Sequence, residues 1–256
     1  MLNQQTIDQL HKMRFGAFAD ELKHQAEKPG EYASMSFDER LAFLVEQQWL
    51  ARENKRLSQR LQRAKLRQAA CLEDIDYHHP RGLDRNSVRE LARCAWVREK
   101  ENILIVGKTG LGKSYLACAL ANQACRDGFT ALYTRLPKLM AEIDLARTNG
   151  TYPNVMRRLA KVRVLIIDDW GLSPLGDQER RDVLEILEDR YDQGSVIITS
   201  QLPISSWHAL VGDATLADAI LDRIVHNSHK IIFGDGETLR KPEHRKKRLQ
   251  KEGEKE

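Results

Sequence analysis

The run Ile103-Leu104-Ile105-Val106 passes straight into Gly107-Lys108-Thr109-Gly110-Leu111-Gly112-Lys113-Ser114 and then into a helix-forming stretch from Tyr115. This pattern, GxxxxGK(S/T) between a strand and a helix, limits the possible folds more than any other part of the chain. Glycines let successive backbone N–H groups turn toward one concave point, where side chains would block an anion. The helix that follows aims its positive N-terminal end at the same point. Gly107, Lys108, Thr109, Gly110, Leu111, Gly112, Lys113 and Ser114 are therefore the expected cradle of a nucleoside triphosphate. Lys113 is expected to reach the β- and γ-phosphates, and the Ser114 hydroxyl to sit on Mg²⁺.

A loop alone does not hold a metal ion. Val164-Leu165-Ile166-Ile167 supplies the remainder by ending in Asp168-Asp169. A buried parallel strand that terminates in acid brings a carboxylate to the sheet edge beside the phosphate loop. Asp168 is the expected Mg²⁺ partner, through water, and Asp169 the group that orients or deprotonates an attacking water. Strands are predicted at Ile103–Val106, Phe129–Tyr133, Val162–Ile167, Val196–Thr199 and Lys230–Phe233. Amphipathic stretches lie between them; in one, Val183, Leu184, Leu187 and Tyr191 share a side. Such alternation predicts an α/β fold, a parallel sheet between helices. The fourth strand runs into Ser200 and Gln201, which puts Thr199, Ser200 and Gln201 where the terminal phosphate or its water would be.

Residues 1–75 have a different character, polar and helical in pattern. Ser36 and Glu39 have the capping-box spacing. Beyond them Leu41, Leu44, Val45, Trp49, Leu57 and Leu61 return at near-helical intervals, predicting one long helix with a mostly covered apolar stripe. Formal net charge is only +4 over 256 residues, so the distribution of charge matters more than its sum. Arg52, Lys55, Arg56, Arg60, Arg63, Lys65 and Arg67 face a single acid, Glu53. Residues 52, 56, 60, 63 and 67 follow i+4 and i+3 steps and form one cationic edge, suited to nucleic-acid phosphate, with DNA the expected partner. A solvated or partner-facing helix is the other reading. No zinc-finger or RNA-recognition aromatics accompany the edge, so any DNA contact should be largely independent of sequence.

The expected domains are thus a helical 1–75, a nucleotide-binding 76–239 and a basic tail 240–256, with Pro80 to Asp84 as a connector. Cys71, Cys94, Cys118 and Cys125 show no CxxC pairing and read as buried, reduced thiols. His78, His79, His226 and His229 have no neighbours that complete a zinc set and read as structural or surface groups. Neither a signal pattern nor an apolar run near the ~18 residues of a membrane span occurs, so a soluble, cytoplasmic protein with no membrane partner is expected.

The combination GKTGLGKS, LIIDDWG, IITSQLP and GDATLADAILDRIVHN resembles the IstB-type AAA+ ATPases, which assist insertion-sequence transposases and are related to the helicase loader DnaC and the initiator DnaA. The likeness continues through ACLEDIDYHHPRGLDR and FDERLAFLVEQQWLARENKRL. It implies an AAA+ core using ATP and Mg²⁺, with Gly107 to Ser114 as Walker A and Asp168 and Asp169 as Walker B. It also implies Ser200, with Thr199 and Gln201, as the sensor-1 region, and Arg223 as an arginine finger for a neighbouring subunit. From the residues alone, Arg223 reads as a partner of Asp222 or Asp218 on a helix whose Leu216, Ala219, Ile220 and Ile224 point inward. The resemblance further implies a homo-oligomer, open helical or ring-like, on double-stranded DNA, with a transposase as client.

Two departures from the AAA+ pattern stand out. Many such enzymes carry Glu where this chain has Asp169, and the shorter reach implies slow or partner-dependent hydrolysis. The family also lacks the helical lid of other AAA+ proteins, which makes Arg240 a candidate second sensor. The rival reading is a helicase loader of the DnaC type. A small-molecule P-loop kinase would need an acceptor pocket and lid for which no sequence is visible. A DNA-binding protein with a vestigial nucleotide site would bind ATP without turnover.

Overall fold

The computed structural model describes residues 4–239. Arg240 and the basic tail lie outside the described residues. The chain divides into two compact units, with the boundary between Gln59 and Arg60. Residues 60–75, grouped by composition with the helical region, therefore belong with the second unit.

The first unit holds α1 (Gln4–Lys12), α2 (Gly16–Glu27) and most of α3 (Phe37–Ala64). The capping box forms as predicted. Glu39 N–H donates to Ser36 Oγ at 3.3 Å, and Ser36 N–H donates to Glu39 Oε2 at 2.7 Å. The apolar stripe of α3 is not covered, contrary to expectation: Leu44 is buried, but Leu41, Val45 and Trp49 are 39%, 55% and 61% exposed. The reason is which side of α3 meets α2. Arg40 bonds Gln25 and Gln48 accepts from Phe18 N–H, so the 40–44–48 side is covered and the neighbouring 41–45–49 side is not.

The second unit continues with α4 (Arg85–Ala92), α5 (Ala95–Arg98), β1 (Asn102–Val106), α6 (Lys113–Arg126), β2 (Ala131–Arg135), α7 (Leu136–Thr148), α8 (Tyr152–Lys161) and β3 (Val164–Trp170). It ends with α9 (Asp177–Arg190), β4 (Ser195–Ser200), α10 (Trp207–Val211), α11 (Ala214–Val225) and β5 (Ser228–Ile232). All neighbouring strands are parallel, in the order β2-β3-β4-β1-β5. Each predicted strand is present, and β3 runs on through both acids to Trp170. Residues alternate between the two faces of the sheet. Leu104, Val106, Leu165, Ile167, Val196 and Ile198 join a core with residues of α7, α8, α9 and α11. The opposite face takes α6, whose buried Ala117, Cys118, Ala119, Ala121 and Ala124 allow a close approach.

Some expected inward positions are corrected. Val183 and Leu187 are buried with Ile186, but Tyr191 is 59% exposed, because α9 ends at Arg190 and Tyr191 lies beyond its buried face. On α11 the buried set is Ala217, Ile220 and Ile224, with Ala219 only partly covered. Cys94, Cys118 and Cys125 are buried free thiols, while Cys71 is only half-buried. Among the described residues no helix is long and apolar enough to cross a membrane, and no cluster of three metal-ligating side chains occurs.

Candidate active site

The phosphate loop leaves the C-terminal end of β1 and closes on α6. Gly107 has φ +156° and Gly112 φ +89°, and a Cβ at Gly112 would stand 2.6 Å from Arg81 Nη1. Only glycine fits a left-handed position with that neighbour. α6 begins at Lys113 with no side-chain cap on its first turn. Its leading N–H groups are thus left for an anion, which is the fit a triphosphate requires. Lys113 Nζ donates to Gly107 O at 2.6 Å and Lys108 O at 2.9 Å, so the ammonium already sits inside the loop's curve. Lys108 pairs with Asp235 at 2.6 Å, and Thr109 Oγ1 donates to Gln201 Oε1 at 2.6 Å. Leu111 is fully buried and supports the loop from beneath.

Arg81 was missed by sequence reading, which took Pro80 to Asp84 for a connector. It is buried, donating to Leu111 O at 2.7 Å and to Asp76 O at 3.1 Å, with the Phe233 ring 5.3 Å away. Burial lowers the pKa of its guanidinium below the ordinary arginine value. Nothing periodic marks it; the one available signal was a lone cation amid the helix-poor HHPRGL.

The order of strands decides what stands between the phosphate loop and the paired acids. β4 lies between β1 and β3, so the end of β4 faces both the loop and the acids. Asp168 is fully buried. Its Oδ1 accepts from Ser114 Oγ at 2.9 Å and from Thr199 Oγ1. Its Oδ2 accepts from Tyr133 OH at 2.5 Å and from Arg67 Nη1 at 3.4 Å. Burial, then the bond to Asp168, pushes the Tyr133 phenol upward, keeping it a donor. Ser114 and Asp168 thus bring two hard oxygens together at the sheet edge, the donor chemistry that suits Mg²⁺.

Asp169 has left-handed backbone (φ +62°) at an irregularity in the β3–β4 register. That geometry throws its carboxylate to the side of the strand opposite its expected alternation. There Arg135 Nε donates to it at 2.6 Å, while its own N–H donates to Thr199 Oγ1 at 3.3 Å. Thr199 therefore links both acids.

Two expectations need correction. Ser200 does not turn its hydroxyl toward the phosphates: Oγ donates to Trp170 O at 2.8 Å and accepts from Leu202 N–H at 3.1 Å. Parallel alternation puts Thr199, one residue earlier, on the acid side. Arg67 does not belong to the cationic edge. α3 ends at Ala64, and left-handed Lys65 (φ +50°) turns the chain so that Arg67 reaches Asp168. Of the remaining edge, Arg52 lies over the Phe15 ring, Arg56 pairs with Glu53, and Arg60 donates to Cys125 O at 2.8 Å. Lys55 and Arg63 are exposed.

Arg223 stands apart from its own phosphate loop. Its carbonyl accepts from Asn102 Nδ2 at 3.0 Å, and Asn102 opens β1 whereas the loop follows its end. A strand of five residues, roughly 16 Å, separates them. The guanidinium pairs with Asp222 at 3.2 Å and Glu188 at 3.5 Å, and lies over Tyr191.

The chain is similar to known proteins along most of its length. The model of the IstB-like ATP binding protein family matches residues 8–247. The insertion sequence ATP-binding protein y4pL of Sinorhizobium fredii is 47% identical over 246 residues, covering 96% of this chain and all of that protein. The IS1162 ATP-binding protein of Pseudomonas fluorescens is 44% identical over 207 residues, 80% of this chain and 89% of that protein. Among solved structures, DnaI superposes with a TM-score of 0.55 at 22% identity, over 66% of this chain and 92% of its own. AMPPCP-bound DnaA from Aquifex aeolicus superposes with 0.56 at 19% identity, over 68% of this chain and 53% of its own. These two likenesses show the shared AAA+ fold. With its phosphate loop, paired acids and intervening Thr199 strand in place, the chain belongs to the IstB-like ATP-binding proteins, the AAA+ ATPases of insertion sequences.

Proposed function

We propose that the protein assembles head to tail on double-stranded DNA with ATP·Mg²⁺ between subunits, and that this assembly helps a transposase select and join its target. The observation that carries the reading is the position of Arg223, a strand's length from the phosphate loop of its own chain. An arginine there serves a nucleotide only in a neighbouring protomer, which makes turnover conditional on assembly. Heterologous contacts of this kind generate rings or open helices.

Within one pocket the roles divide by geometry. The loop amides and Lys113 bind the phosphates. Ser114 and Asp168 would hold Mg²⁺, whose contribution when bound is to neutralise charge on the phosphate oxygens. Asp169 orients the attacking water, and Thr199 fixes the spacing of the two acids. In this reading Arg135 holds Asp169 back, since a carboxylate engaged by a guanidinium is a poor water-positioning base. Arg135→Ala is expected to raise turnover without DNA several-fold. A fall, measured by phosphate release, would make Arg135 a supporting residue instead.

The DNA surface of this reading is α3, through Arg52, Lys55, Arg56, Arg60 and Arg63. Changing Lys55, Arg56 and Arg63 to Gln is expected to weaken duplex binding and flatten its salt dependence by up to about three ion-release units. An unaltered slope would put the DNA elsewhere.

The test of the whole is turnover as a function of protein concentration, with and without duplex. Specific activity should climb with concentration and climb further with DNA. Activity per molecule that is flat in both would overturn the assembly. A helicase loader of the DnaC type shares this core; capture of the purified helicase in place of the transposase would favour it.

A further inference from the structure

We propose that Arg67 competes with Mg²⁺ for Asp168 and so sets the Mg²⁺ concentration at which the site accepts ATP. The proposal rests on Ser114 and Asp168 being the Mg²⁺ side chains.

Asp168 is fully buried, and Arg67 is its one ion-pair partner among the described residues. The other three donors to the carboxylate, Ser114, Thr199 and Tyr133, are neutral hydroxyls. A buried carboxylate draws strongly on whatever positive charge is near, since water does not compensate it. A divalent cation brought to the same carboxylate meets the guanidinium as a like charge at close range. The two therefore oppose each other, and the weaker-held one yields.

The geometry makes Arg67 the one that moves. Its side chain is 46% exposed, against none for Asp168, so the guanidinium can withdraw into water and regain hydration while the carboxylate stays buried. Its backbone, by contrast, is tethered. Ala70 packs on Cys118 and Ala119 of α6, and Tyr115 OH meets the backbone of Cys71. The guanidinium thus stays on a short leash beside the carboxylate and returns when the metal leaves. Tyr133 bonds the same Oδ2 as Arg67 and has no charge to lose, so it keeps the carboxylate oriented under either cation.

The test is a Mg²⁺ titration of fluorescent ATP-analogue binding to the full chain. Arg67→Gln is expected to lower the Mg²⁺ midpoint roughly five- to tenfold, the scale of a unit charge near a divalent one in a half-solvated site. Arg67→Lys keeps a charge beside Asp168 for folding but loses the planar fork, and is expected to lower the midpoint about twofold. It keeps the experiment decisive if the Gln variant does not fold. A residue that merely supports Asp168 predicts the reverse, a raised midpoint in both. Ser114→Ala serves as the reference and should raise the midpoint. Unchanged or raised midpoints in the Arg67 variants, with Ser114→Ala shifted, overturn the role of Arg67 and leave the Mg²⁺ site standing. No shift in any variant removes the Mg²⁺ site, and the competition with it.

Discussion

Arg223→Ala is expected to leave ATP affinity within about twofold of the parent and to cut steady-state turnover by about 10³-fold or more, the range of an arginine finger supplied from a neighbour. Affinity survives because Arg223 lies at the opposite end of β1 from the loop that binds the phosphates. The fold survives because its pairs with Asp222 and Glu188 are partly exposed, and such pairs are worth at most about 1 kcal/mol. Assembly supplies the sharper readout. A protomer lacking Arg223 keeps a working phosphate loop, and one lacking Lys113 keeps a working finger. Mixing the two inactive variants should restore turnover at interfaces where the good loop meets the good finger. Full turnover by Arg223→Ala alone, or a mixture as inactive as its parts, would remove the shared pocket.

What sequence revealed and what it hid follow one physical division. Gly107 to Ser114 and the strand ending in Asp168-Asp169 were legible because backbone geometry dictates those residue types locally. The central strands β1, β3 and β4 were legible because burial on both faces demands near-continuous apolar runs. Side-chain direction at strand ends was not, since it turns on a single residue of register. Thr199, Ser200 and Gln201 were expected together at the end of β4, and alternation divides them: the Thr199 hydroxyl meets Asp168 while that of Ser200 turns back to Trp170 O. Arg67 was assigned to a helix edge because its spacing continued the pattern, while left-handed Lys65 had already ended the helix. Arg81 and Arg135 are contacts between segments far apart in the chain, and no local pattern announces them. The uncovered face of α3 failed for a related reason: periodicity says that a stripe is apolar, and only packing says which neighbouring stripe is met.

Lys113→Ala is expected to weaken ATP binding by about 30-fold to several thousandfold, the 2–5 kcal/mol that goes with truncating one partner of a desolvated charge pair. The side chain is 9% exposed, and its ammonium bridges the carbonyls of Gly107 and Lys108, 2.6 and 2.9 Å away. It is therefore held ready, with little rotamer freedom left to lose when phosphate arrives. Alanine removes both the charge and the bridge that keeps those carbonyls turned inward, so the empty loop should also become less ordered. ATP should suffer more than ADP, because the lysine is the group that reaches the terminal phosphate. The measurement is the rise in Tm with added ATP analogue, compared with the rise for ADP. The parent should show the larger rise with the triphosphate, and Lys113→Ala should lose most of it. If the variant is stabilised by ATP as fully as the parent, the loop is not the phosphate site, and the assembly built on its occupancy goes with it.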